Sequence, residues 1–139
     1  MTPDISYNDK ARLGDIPHQL VITISESPKK KGLIYTGTDD GRLYVSIDEG
    51  KEFSELTANF PKKLWVSTVL ASRHAEATVY AAQQGRYDED FAPRVYKSTD
   101  YGRTFRSIAG NLPGGQINMI REDPVSPNVL YVANDFGVY

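Results

Sequence analysis

The chain has 139 residues, 40% of them hydrophobic and 24% charged, which is the composition of a folded domain and not of a disordered one. A formal net charge of -2 gives no electrostatic footprint for nucleic acid or an anionic membrane. There is no cysteine, which excludes disulfides and thiolate metal sites, and no apolar run approaches the roughly 20 residues of a membrane span.

Residues 1–19 contain no apolar leader core and read as an extended lead-in loop. From there the chain is short apolar runs cut by turn residues. "QLVITIS", "LIYTGT", "RLYVSI" and "EFSELT" are rich in β-branched and aromatic residues and bounded by Gly, Pro, Asp or Ser. No segment sustains helical periodicity over more than about ten residues. Each unit therefore reads as four antiparallel strands, A to D.

The runs repeat. "ITISESPKKKGLIY" (22–35) ends in a stretch that aligns without a gap on "IREDPVSPNVLY" (120–131), placing Ile24 on Ile120, Glu26 on Glu122 and Tyr35 on Tyr131. "VLASRHAEATVY" (69–80) fits the same frame more loosely. Further on, "SIDEGKEF" (46–53) matches "STDYGRTF" (98–105). Both are Ser-x-Asp-x-Gly-x-x-Phe, placed between strands C and D. The aspartates Asp48 and Asp100 suit turn amides, Gly50 and Gly102 supply a positive φ, and Phe53 and Phe105 are expected to bury their rings. With Ser46 and Ser98, these residues are read as a structural turn. The units are 20–57, 66–109 and an incomplete 116–139. Four-stranded repeats of roughly 40 to 50 residues are the signature of propeller blades.

These boxes resemble the Asp-box (BNR-type) repeats of sialidase-type and sortilin-like β-propellers. The segments "TISESP", "GLIYTGTDDG", "VYKSTDYG", "SIAGNLP", "INMIREDP" and "NDFGVY" are similar, in this order, to bacterial sortilin-like propeller proteins labelled glycosyl hydrolases. The fold class expected is all-β, a propeller fragment of about two and a half four-stranded blades. The resemblance implies a longer parent protein and an extracytoplasmic location. The expected partners are the remaining blades of that parent, or further copies of the chain through unburied residues such as Val129, Leu130, Val132 and Val138.

With this strand order, loops A–B and C–D share one rim, and loops D–A and B–C share the other, where propeller ligand sites open. The Asp boxes, "KKK" (29–31) and His74 go to the first rim and read as turns and solvated charge. The second rim collects His18, Asp39, Asp40, Trp65, Arg86, Tyr87, Asp88, Glu89, Asp90 and Asp135. The B–C connection of the second unit is long: eighteen residues separate Tyr80 from Ser98, against eleven from Tyr35 to Ser46. An insertion into a regular repeat is where specificity tends to sit.

Two functions compete for that rim. A binding module would take a glycan or peptide through His18, Asp40, Trp65, Arg86, Tyr87 and Asp88. A glycoside hydrolase would need two carboxyl groups about 5 to 9.5 Å apart, and Asp39, Asp90 and Asp135 are the candidates. Asp39 aligns with Asp135, so both also fit a shared turn-capping role. No cofactor is indicated. "TDDG" and "YDED" are oxygen-rich but match no Ca²⁺ loop, and two histidines without cysteine argue against zinc.

Overall fold

The computed structural model describes residues 20–60 and 64–139; the lead-in segment 1–19 lies outside the described residues. The fold is all-β. Ten strands are named: β1 Val21–Glu26, β2 Ile34–Thr38, β3 Leu43–Ser46, β4 Ser54–Glu55, β5 Trp65–Ala71, β6 Val79–Gly85, β7 Asp90–Ser98, β8 Arg106–Ser107, β9 Ile117–Glu122 and β10 Leu130–Asn134. They form two four-stranded antiparallel sheets, β1-β2-β3-β4 and β5-β6-β7-β8, and a two-stranded sheet of β9 and β10. A bridge from Ala133 to Val138 begins a third strand beside β10. Two short 3-10 turns, Thr57–Asn59 and Arg86–Asp88, are the helical elements among the described residues. No helix among them is long and apolar enough to cross a membrane.

The alternation along β6 explains the stacking. Val79 and Ala81 point to one side, into a core shared with Tyr35, Leu43, Phe60, Val69 and Tyr96. Tyr80 and Ala82 point to the other, into a second core with Val95, Ile117, Ile120 and Val132. A strand with both faces apolar must lie between two partners. The second sheet therefore sits between the first and the third, and both cores lie between sheets. The approach of the first two sheets is close at Gly37, where a Cβ would stand 2.5 Å from Cγ1 of Val66.

The two Ser-x-Asp-x-Gly turns have matching wiring. Ser46 Oγ donates to Asp48 Oδ1 (2.8 Å) and accepts the Gly50 N–H (2.9 Å). Asp48 Oδ1 accepts the N–H groups of Lys51 (3.1 Å) and Glu52 (3.0 Å). In the second turn, Ser98 Oγ donates to Asp100 Oδ1 (2.7 Å) and accepts from Gly102 (2.8 Å), while Thr104 donates its N–H (2.9 Å) and hydroxyl (2.7 Å) to Asp100. Glu49 and Gly50 both take positive φ, at 65° and 84°, as do Tyr101 and Gly102, at 62° and 88°. That left-handed pair is the backbone requirement that the second box position meets with glycine. It also aims the N–H of Glu49 at the Gly32 carbonyl (3.1 Å) and that of Tyr101 at the Ala77 carbonyl (2.9 Å).

The aromatic ends of the boxes differ. Phe105 stacks on Phe60 with ring centroids 4.7 Å apart. Phe53 is 44% exposed and not buried as its position in the motif led us to expect. The reason lies in the neighbour. Phe60 follows the first sheet and covers the face of the second, whereas no aromatic among the described residues covers the equivalent face of the first.

The hydrogen bonds to Asp100, from the Thr104 hydroxyl first and then Ser98, pull its carboxyl down to about 2 from 3.8. A depressed acid stabilises the fold above its unfolded pKa, and that contribution is lost as pH falls through the folded value. We expect Asp100→Asn to lower the melting temperature at neutral pH and to flatten the wild-type decline between about pH 4 and 2. Parallel pH–melting curves for the two proteins would contradict this role.

Candidate functional site

On the rim opposite the Ser-x-Asp-x-Gly turns, three loops of the second and third sheets converge. They are the hairpin end of β6 and β7, the loop from β8 to β9, and the residues after β10. Gln116, fully buried, joins the first two. Its Oε1 accepts the Gly85 N–H (2.9 Å) and its Nε2 donates to the Asp90 carbonyl (3.0 Å). The neighbouring Gly115 N–H reaches the Phe91 carbonyl (2.9 Å). The Gln116 N–H points to Asp135 Oδ2 (3.4 Å), which brings in the third loop.

A polar cluster is built on this frame. Asp135 Oδ1 accepts from Asn118 Nδ2 (3.0 Å) and Arg86 Nη2 (3.2 Å). Gln84 Nε2 donates to Asn118 Oδ1 (2.9 Å) and to the Ile117 carbonyl (3.1 Å). Hydrogen bonding from Asn118, then the Gln116 amide and the nearby Arg86 charge, holds the Asp135 carboxyl below its ordinary range. Asp135 is thus an ionised acceptor and is unsuited to giving a proton to a leaving group. Phe91 and Phe136 are both exposed, and the Phe136 ring lies against Gly115.

The sequence candidates divide accordingly. Arg86 and Asp135 form an ion pair. Asp90 lies next to the cluster through its carbonyl, while its carboxylate pairs with Arg94 and accepts the Ala92 N–H (3.2 Å). Asp88 is exposed on the 3-10 turn; of Tyr87, the backbone alone is described, in the same turn. Trp65 opens β5, opposite Gln84 and partly buried. Asp39 and Asp40 belong to the β2–β3 turn of the first sheet. Asp39 Oδ1 accepts the Leu20 N–H (2.9 Å), and Asp40 pairs with Arg42 (3.0 Å) and accepts from the Thr38 hydroxyl. His18 lies outside the described residues.

The long B–C connection of the second unit is mostly strand. Gly85 pairs with Asp90, and the 3-10 turn Arg86–Asp88 closes the hairpin, with Glu89 at φ 56°. The extra residues lengthen β6 and β7 past their counterparts β2 and β3. Gln84, Gln116 and Asn118 were missed by reasoning that followed charge and aromaticity. The available signal was three amide side chains at strand ends that all point to one rim.

No family model matches this sequence, and no curated protein matches it. Solved structures do. YCF48 from Cyanidioschyzon merolae superposes with a TM-score of 0.64 at 17% identity, over 89% of this chain and 34% of that one. The GH74 xyloglucanase from Xanthomonas campestris gives 0.61 at 14% identity, over 85% and 21%. The GH74 enzyme of Niastella koreensis gives 0.55 at 17% identity, over 82% and 19%. The chain folds as a segment of a β-propeller. Its sheets are blades, and it spans about a third of the YCF48 chain and about a fifth of each GH74 chain. In this architecture the cluster lies at the junction of the second and third blades.

Because Gln116 satisfies a buried N–H and a carbonyl at once, Gln116→Ala should destabilise the protein by about 1–3 kcal/mol. Amide exchange at Gly85 should accelerate more than at Val79. An unchanged Gly85 rate would mean that the hairpin does not need this clamp.

Proposed function

We propose that this propeller segment presents a binding rim for a neutral ligand rich in hydroxyl and amide groups, a glycan or a peptide. The observation that carries the reading is the Gln84–Asn118–Asp135–Arg86 cluster, with exposed Phe91 and Phe136 on the segments that frame it. It offers fixed donors, one ionised acceptor and flat apolar faces, the combination that orients polar ligands in open sites. The likeness to GH74 enzymes, one titled a xyloglucanase, makes xyloglucan oligosaccharides the first glycans to try. Glycoside hydrolysis by Asp39, Asp90 and Asp135 is the second reading, and it rests on that likeness. Against it, Asp90 is paired with Arg94, Asp39 belongs to another blade's turn, and Asp135, held below its ordinary range, suits the base or nucleophile role but leaves no partner among these three to serve as the proton donor.

From the resemblance of its sequence motifs we also propose that the protein is a sortilin-like Asp-box propeller that acts outside the cytoplasm. Fractionation of expressing cells tests the location, and a wholly cytosolic product would contradict it.

For the rim, titration of the folded chain with xyloglucan oligosaccharides and a peptide panel is decisive. We expect Arg86→Ala to weaken a bound ligand about tenfold or more, since it removes a charged hydrogen-bond donor. Asp39→Asn should leave affinity unchanged, and no reducing ends should appear. Turnover abolished by Asp135→Asn would establish the hydrolase instead. Binding indifferent to Arg86 and Phe136 would remove this rim as the site.

A further inference from the structure

Three A–B turns open alike. Ser27, Ser72 and Asp123 donate their N–H groups to the carbonyls of Leu33 (2.8 Å), Thr78 (2.9 Å) and Val129 (3.1 Å). Their side-chain oxygens accept the N–H two residues on, at Lys29 (3.2 Å), His74 (3.1 Å) and Val125 (2.9 Å). The three positions are therefore structurally equivalent.

The middle turn receives a carboxylate from the next blade. Glu122, at the end of β9 and 8% exposed, accepts the Ser72 hydroxyl (2.7 Å) on one oxygen and the Arg73 N–H (2.7 Å) on the other. Burial and the nearby Glu122 carboxylate push the Tyr80 hydroxyl up to about 12. His74 Nε2 lies 2.7 Å from the Asp123 carbonyl oxygen and closes the same seam.

Glu26 is the counterpart of Glu122 on the first blade. The side chains of Thr23 and Ser25 bond amides of β5 in the second blade, so Ile24 and Glu26 face the other way. Ile24 is 67% exposed there, where the equivalent Val69 is 3% and Ile120 is 0% exposed. One Glu26 oxygen accepts the Gly32 N–H (3.0 Å); the other has no hydrogen bond among the described residues. The exposed face thus pairs Ile24 with a carboxylate at the strand position of Glu122, one oxygen of which is held by its own turn.

What can receive that carboxylate is restricted. The receiving turn needs a hydroxyl followed by a residue that has an N–H. Ser27 is followed by Pro28, which has none. The third turn is worse. Asp123 puts a carboxylate where Ser72 has a hydroxyl, Pro124 removes the N–H of Arg73, and Tyr131, the counterpart of Tyr80, donates its hydroxyl to Asp123 (3.0 Å). A second copy of this chain, docked third blade to first, would set Glu26 against Asp123 with neither donor present. Like charges meeting in a partly dry seam oppose association.

We infer that the Ile24–Glu26 face of the first blade docks a four-stranded blade whose A–B turn reads Ser or Thr followed by a residue other than proline, and that it rejects the third blade of a second copy. The matched propeller chains are about three to five times the aligned length, so they continue well beyond the part that this chain matches.

The inference is tested with the full 139-residue chain and a probe made from it. The probe carries Asp123→Ser and Pro124→Arg, which restore the receiving turn, and Glu26→Lys, which stops the probe from binding itself. Serine at 123 keeps the turn, since Ser72 already accepts the same two amides. Sedimentation velocity should show wild type binding the probe at least about tenfold more tightly than it binds itself, and Glu26→Ala in the wild-type partner should abolish the gain. If the probe melts early, Asp123→Ser with Glu26→Lys alone serves as the probe. Self-association of wild type as tight as probe binding, probe binding indifferent to Glu26, or no binding to a folded probe would each overturn the inference.

Discussion

Each blade is a single layer of strands, so an apolar side chain leaving it can be covered by nothing but the next layer. Covering a large aliphatic or aromatic side chain is worth about 1.5–3 kcal/mol. Here that gain is realised only at seams between sheets. Val79 and Ala81 look one way from β6 and Tyr80 and Ala82 the other, and both sets are buried. The first blade has the same alternation with one seam filled. Its Ile24 and Phe53 stand in solvent at positions where Val69 is buried and Phe105 is packed. Stability is therefore a property of neighbours, as in other stacked-repeat architectures.

Polar groups decide which neighbours fit. The Ser-x-Asp-x-Gly turns are satisfied almost wholly within their own blade, which lets them sit on an exposed rim at no cost in unpaired amides. Glu122 acts across a seam instead, and its bonds to Ser72 and Arg73 define what must lie opposite it. Gln116 acts across the other end of that seam and fixes the hairpin that carries Arg86. The second and third blades are thus tied at both rims, by a buried carboxylate at one and a buried amide at the other. The candidate binding cluster is built on the second tie, so its geometry depends on the seam beneath it.

The all-β fold was legible because its signals are local. A left-handed residue pair next to an aspartate that collects turn amides leaves a fixed spacing in the text, and period-two runs ending in tyrosine mark the strands. Arg86 and Asp135 could be named because charged residues on an insertion stand out. Their pairing could not, since it depends on Gln116 holding two loops 26 residues apart, Asp90 and Gln116, in hydrogen-bond contact. Glu26 and Glu122 align in sequence, yet one is exposed and the other buried. That difference belongs to the neighbouring turn and is invisible in the strand itself. Phe53 teaches the same lesson: the motif supplied the ring, and burial required a residue from elsewhere.

Native-state hydrogen exchange on the intact chain tests the central claim, that burial resides in the seams. Strands β2 and β6 hold the same place within their sheets and differ in having one filled seam or two. The amides of Val79–Gly85 should therefore exchange more slowly than those of Ile34–Thr38 under conditions where local opening dominates. Equal protection of the two strands, or greater protection of β2, would show that each sheet is stable by itself and would contradict this account.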